Sequence, residues 1–101
     1  MDSANRQLDT IITVLHRDKQ TLADQYGVTK IGVFGSIARG EANAASDVDI
    51  VVQTKVPDLF MMVHLKEALE NLLGTRVDLV RYRKRMNPYL KRRIDREARY
   101  V

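Results

Sequence analysis

Residues 47–53, DVDIVVQ, alternate carboxylate and apolar side chains before closing on Val51-Val52. Successive side chains of a strand point to opposite faces. A strand here therefore sets Val48, Ile50 and Val52 on one face and Asp47 and Asp49 on the other. Aspartate is a poor strand former, so two of them at the head of an otherwise apolar strand need a physical reason. Ser46-Asp47 by itself reads as ordinary turn chemistry. Asp49, inside the alternating pattern, does not.

The flanking sequence switches to a helical period. Leu8, Ile11, Ile12, Leu15, Leu22, Ala23 and Tyr26 recur every three or four residues and predict an amphipathic helix over roughly residues 4–26, stopped by Gly27. Lys30 to Phe34 is a first strand, broken by Gly35-Ser36, where Ser36 is a good N-cap type for a short helix. Residues 40–46 read as a loop, and 47–53 as the second strand. Pro57-Asp58 opens a helix with Pro in its first turn; Met62, Leu65, Leu69, Leu72 and Leu73 form its buried stripe and Gly74 ends it. Residues 76–81, RVDLVR, make a third strand. Asn87-Pro88 caps and starts a last helix, with Leu90, Ile94, Ala98 and Val101 along one side. The order α-β-(short α)-β-α-β-α predicts a small α/β or α+β domain of three strands and several helices.

A chain of 101 residues predicts one domain, 1–101, with a modest core. No apolar run approaches the ~20 residues that span a bilayer, and MDSANRQLD has neither the basic start nor the apolar centre of a signal peptide. The absence of Cys excludes disulfides, thiolate-bound zinc and thiol catalysis. A cytoplasmic protein without membrane contact fits these features.

Asp78 repeats the anomaly of the second strand by interrupting Val77-Leu79-Val80. If strands two and three are neighbours, Asp47, Asp49 and Asp78 converge on one face of the sheet. Like charges so close repel, and a divalent cation removes the conflict. Hard oxygen ligands suit Mg²⁺ or Mn²⁺. Gly35-Ser36, between strand and helix, offers free backbone amides to a phosphate, with Gly35 permitting close approach. Arg39 stands near enough in sequence to add a charge-assisted contact. A capped turn explains Gly-Ser alone; beside an acidic metal site it becomes a cradle for a triphosphate.

Gly35-Ser36, ten residues, then Asp47-x-Asp49 resembles the signature of the DNA polymerase β-like nucleotidyltransferases. The stretch GSIARGEANAASDVDIVV is similar to that of their small stand-alone members, the minimal nucleotidyltransferases. Ile37 and Ala45 depart from residues common in relatives, but neither removes a ligand. The resemblance spans nearly the whole chain and implies a mixed sheet flanked by helices, two Mg²⁺ ions and ATP as substrate. On this reading Asp47 and Asp49 hold both metals. Asp78 helps bind one and activates the attacking hydroxyl. Ser36 and Gly35 hold the outer phosphates. Two metals about 3.5–4 Å apart clamp the attacking and leaving oxygens of an in-line displacement.

Little sequence is left over for an acceptor domain, so the acceptor surface is expected from a partner, a second copy or the acceptor itself. The resemblance implies a HEPN-domain ribonuclease toxin as partner, with this chain as the antitoxin that transfers AMP to a tyrosine of it. The rival readings are a non-catalytic antitoxin that neutralises by contact, and transfer to a small molecule such as an aminoglycoside.

Charge is uneven. Residues 1–80 carry 8 Lys and Arg against 11 Asp and Glu, whereas residues 81–101 carry 9 against 2. The basic segments RYRKR and KRRIDREAR fit an acidic partner or RNA. The strands offer only Phe34 for base stacking, which favours the partner. His16 and His64 have no clustered ligands and read as surface or packing residues.

Overall fold

The computed structural model describes residues 3–41 and 47–101. Helix α1 (Ser3–Tyr26) buries Leu8, Ile11, Leu15 and Leu22, the stripe that its period predicts. Gly27, at φ 68°, ends it, its N–H bonding to Ala23 O at 3.0 Å.

Strand β1 (Val28–Phe34) starts two residues earlier than the sequence suggests and leads straight into α2 (Gly35–Ala38). The cap of α2 is Phe34, which offers no side-chain hydrogen bond. Ser36 therefore lies inside the first turn and is not the N-cap, a correction to the cap reading: the strand runs on to Phe34 and the chain turns at Gly35. The expected loop at 40–46 falls mostly on residues 42–46, outside the described residues.

Strand β2 (Val48–Thr54) pairs antiparallel with β1 and parallel with β3 (Val77–Arg81). Helix α3 (Leu59–Leu73) makes the crossover. Its cap is Asp58, whose carboxylate accepts the Met61 N–H, so Pro57 precedes the helix instead of opening it. Leu65 and Leu69 are fully buried as expected, whereas Leu72 is exposed. Helix α4 (Pro88–Glu97) starts as the sequence indicates, with the Asn87 side chain accepting the N–H groups of Tyr89 and Leu90.

The chain adds a strand that periodicity did not reveal. Arg99–Tyr100 (β4) pairs antiparallel with β1 and completes a mixed sheet of order β3-β2-β1-β4. The last helix thus stops at Glu97, and Ala98 is its extended cap. Ala98 still packs with Leu90 and Ile94, but Val101 packs on the opposite side of the sheet. Gly32 makes the pairing sterically feasible: a Cβ there would lie 2.8 Å from Arg99 O and from the Tyr100 ring.

The apolar side chains form two unequal layers. On one face α1 and α3 cover Ile31, Val33, Val48, Ile50 and Val52. On the other, Ile94 of α4 meets Phe34 and Val51, with Val80, Tyr82, Met86, Leu90 and Ala98 partly buried round them. As the middle element between β1 and β3, β2 is apolar on both faces over Ile50–Val52, as central strands are. Among the described residues no helix is long and apolar enough to cross a membrane.

Candidate active site

Asp49 and Asp78 are register partners on the neighbouring parallel strands β2 and β3. By strand alternation both project on the α4 face, with Val51 and Val80 next along their strands. Partnered residues of adjacent strands sit about 5 Å apart. The convergence expected from the sequence is thus present for this pair.

Antiparallel pairing aligns Phe34 with Asp49, so the turn after β1 passes beside the carboxylate. Gly35 is buried at φ 78°, and a Cβ there would run into the Asp49 carboxylate, 2.9 Å from its Cγ. A glycine is required twice over, by backbone conformation and by the closeness of Asp49. Ser36 follows, half-buried, and its carbonyl accepts the Glu41 N–H at 2.9 Å. The first amides of α2 have no side-chain acceptor from the cap.

Asp47 stands just ahead of β2. Its Oδ1 lies 3.3 Å from Nε of Arg76, which precedes β3. The Arg76 side chain is 80% exposed, and exposed pairs of this kind contribute little. With Asp47 turned this way, no three acidic or His side chains close on one point among the described residues. Exchange of a weak surface pair for a cation would bring Asp47 in.

The electrostatics fit such a cation. The Asp49 carboxyl is held above its usual range, first by burial, then by the Asp78 charge, with Asp47 and a hydrogen bond to Asp78 adding to the effect and Arg93 opposing it. An oxygen-liganded divalent ion would remove the repulsion. The three carboxylates are a donor set suited to Mg²⁺.

Arg39 has a different setting from the one its position in sequence suggests. Its Nε bonds Glu41 at 2.8 Å and its Nη1 bonds Glu97 at 2.6 Å. It ties α2 to α4, and its guanidinium is already engaged on two sides. Glu97 is only 10% exposed, and its Oε2 lies 3.9 Å from Nε of Arg93. Sequence reasoning passed over Arg93 and Glu97. The signal available was their i,i+4 spacing on the last helix, which marks one shared helix face.

A family profile described as the nucleotidyltransferase domain matches residues 16–101. The chain belongs to this family. It is a nucleotidyltransferase. It is 50% identical over 74 residues to the protein adenylyltransferase MntA of Thermococcus cleftensis, covering 72% of this chain and 75% of that one. A solved structure described as a minimal nucleotidyltransferase superposes with a TM-score of 0.69 at 40% identity, over 87% of this nucleotidyltransferase and 92% of the other. A crystal structure of a toxin–antitoxin with AMP-PNP superposes with a TM-score of 0.70 at 25% identity, over 84% of this chain and 69% of that chain.

Proposed function

We propose that this nucleotidyltransferase, with residues 1–101 working as one cytoplasmic domain, is an antitoxin that transfers AMP from ATP to a tyrosine of a HEPN-domain toxin. The observation that carries the reading is the register of Asp49 on Asp78 directly behind Gly35. It sets two carboxylates beside a turn whose first amides take no side-chain acceptor from the cap. The likeness to a protein adenylyltransferase and to a toxin–antitoxin seen with AMP-PNP supports the substrate and the partner class.

Asp47, Asp49 and Asp78 would hold Mg²⁺, with Mn²⁺ as the nearest substitute. The ions supply charge neutralisation at the phosphates and lower the cost of an ionised attacking oxygen. The chain itself positions the groups. Gly35 lets the backbone approach the phosphates, and the amides and hydroxyl of Ser36 hold the outer ones. The tyrosine oxygen attacks the α-phosphorus, its proton passes to Asp78, and the bond to the bridging oxygen breaks so that pyrophosphate leaves. Strands β2 and β3 hold Asp49 and Asp78 in fixed register, the kind of positioning that in-line displacement demands.

The experiment is transfer of label from α-³²P-ATP, with Mg²⁺, to a purified HEPN-domain toxin. The label is expected on the partner with the wild-type chain and absent with Asp47→Asn. Equal labelling by the variant, or labelling of no partner by the wild type, refutes the proposal.

A further inference from the structure

Helix α3 turns a second apolar surface away from the core. Leu59 is 84% exposed, Phe60 82% and Val63 56%, with Val56 at 66% just ahead of the helix. Val63 lies four residues from Leu59 and three from Phe60, which places it between them on the outward side, away from Leu65 and Leu69. Isolated exposed apolar residues are common, but a contiguous group marks an interaction surface. Leu59 also forms one wall of a groove of about 570 Å³ with Met62, Leu79, Val80, Arg81 and Arg83. This groove runs between α3 and β3, an edge strand of the sheet.

The border of this surface is mainly cationic; its lining carboxylate, Asp58, is engaged by the Met61 N–H as the cap of α3. Arg81 and Arg83 stand in the groove, and Lys84 and Arg85 follow, both exposed. We infer that the α3–β3 surface docks an amphipathic helix of the partner protein, whose apolar face meets Leu59, Phe60 and Val63 and whose acidic border meets Arg81, Arg83 and Lys84. This rests on the reading that the chain acts on a protein. An apolar stripe on a helix with a groove beside it is the receiving geometry for a second amphipathic helix, and the rim selects one with carboxylates. Arg81 lies three residues along β3 from Asp78, about 10 Å, on the opposite face of this edge strand, so a segment held here reaches the carboxylates only by passing round the edge of the sheet.

The test uses the full chain and a purified HEPN-domain toxin. Leu59→Glu with Phe60→Glu is expected to weaken the complex about thirtyfold, the effect of losing a central apolar anchor. The melting temperature and its rise with Mg²⁺ and ATP should be unchanged, since both side chains are solvent-exposed. Arg83→Glu with Lys84→Glu should weaken binding in low salt and flatten its salt dependence. An unchanged dissociation constant in both variants overturns the inference. So does a failure of the wild-type chain to bind the partner, or a wild-type dimer that the Leu59/Phe60 variant dissociates. If the partner binds and the variants weaken it but no AMP is transferred, the docking surface stands and the proposed function falls.

Discussion

Gly35→Ala separates two costs that one residue combines. The first is backbone strain. A residue with a Cβ held at φ near +70° costs about 1–2 kcal/mol relative to glycine. Gly27→Ala measures that cost alone, because its φ is 68° and no atom stands within 4 Å of the Cβ it would gain. Gly35 has a φ of 78° and the Asp49 carboxylate in the space the methyl would occupy. Forcing a methyl into such a site adds a further 1–3 kcal/mol or so. Urea unfolding should therefore rank Gly35→Ala well below Gly27→Ala, with melting temperatures differing by roughly 4–8 °C for each kcal/mol.

The collision also links the two residues energetically. Asp49→Ala removes the carboxylate, so Gly35→Ala made on that background should lose most of its extra cost. The expected coupling is about 1–3 kcal/mol in a double-mutant cycle. Nucleotidyl transfer should fall about a hundredfold in Gly35→Ala, from a displaced metal ligand, and stay normal in Gly27→Ala. Equal destabilisation by the two glycine substitutions, or zero coupling to Asp49, would refute the view that Gly35 exists to admit the carboxylate.

Three further outcomes are expected. Asp49 has a raised carboxyl pKa, so the folded state holds its proton more tightly than the unfolded chain does. Metal-free stability should therefore fall as the pH rises from the ordinary carboxylate range through the raised value; Asp49→Asn should remove that fall in a urea titration across pH, leave the protein at least as stable at pH 7, and abolish transfer. Ser36→Ala should raise the apparent KM for ATP without lowering the melting temperature, because Ser36 caps nothing in α2; a lowered melting temperature with unchanged kinetics would make it structural. Lys91→Glu with Arg92→Glu and Arg96→Glu should slow modification of the partner, less so in high salt, and leave ATP binding intact; loss of RNA affinity with normal modification would instead assign this segment to nucleic acid.

The sequence was legible where side chains broke a local rule. Asp49 and Asp78 each interrupt an apolar strand pattern, and the strand period was enough to assign their common face. The helix ends at Gly27, Gly74 and Asn87 were legible because each is set by a few neighbouring residues. Arg99–Tyr100 was not, since two residues display no period and their pairing depends on the bare backbone of Gly32, far away in the chain. The burial of Val51 was hidden for a related reason: its partners Phe34 and Ile94 come from distant segments. The partners of Arg39 were not legible either. The arginine lies close in sequence to the Gly35-Ser36 turn, yet its partner Glu97 is 58 residues away.

The unequal apolar layers have a consequence for how the molecule opens. The larger layer unites α1, α3 and three strands, whereas α4 is held to its face by a smaller cluster with Ile94, Phe34 and Val51 at its centre and Leu90, Ala98 and Val80 partly buried round them, and to the edge by two residues of β4. Segments with few buried apolar contacts open at a fraction of the global unfolding free energy. Amide hydrogen exchange should therefore show α4 and β4 releasing as one unit while the β1–β2 pair stays protected. Arg93 and Glu97 travel with that unit, so each opening strips Asp49 of its nearby positive charge and Arg39 of its 2.6 Å partner. A molecule that seats α4 would slow exchange there and steady the site from behind, and one that lifted it would disarm the carboxylates without touching them.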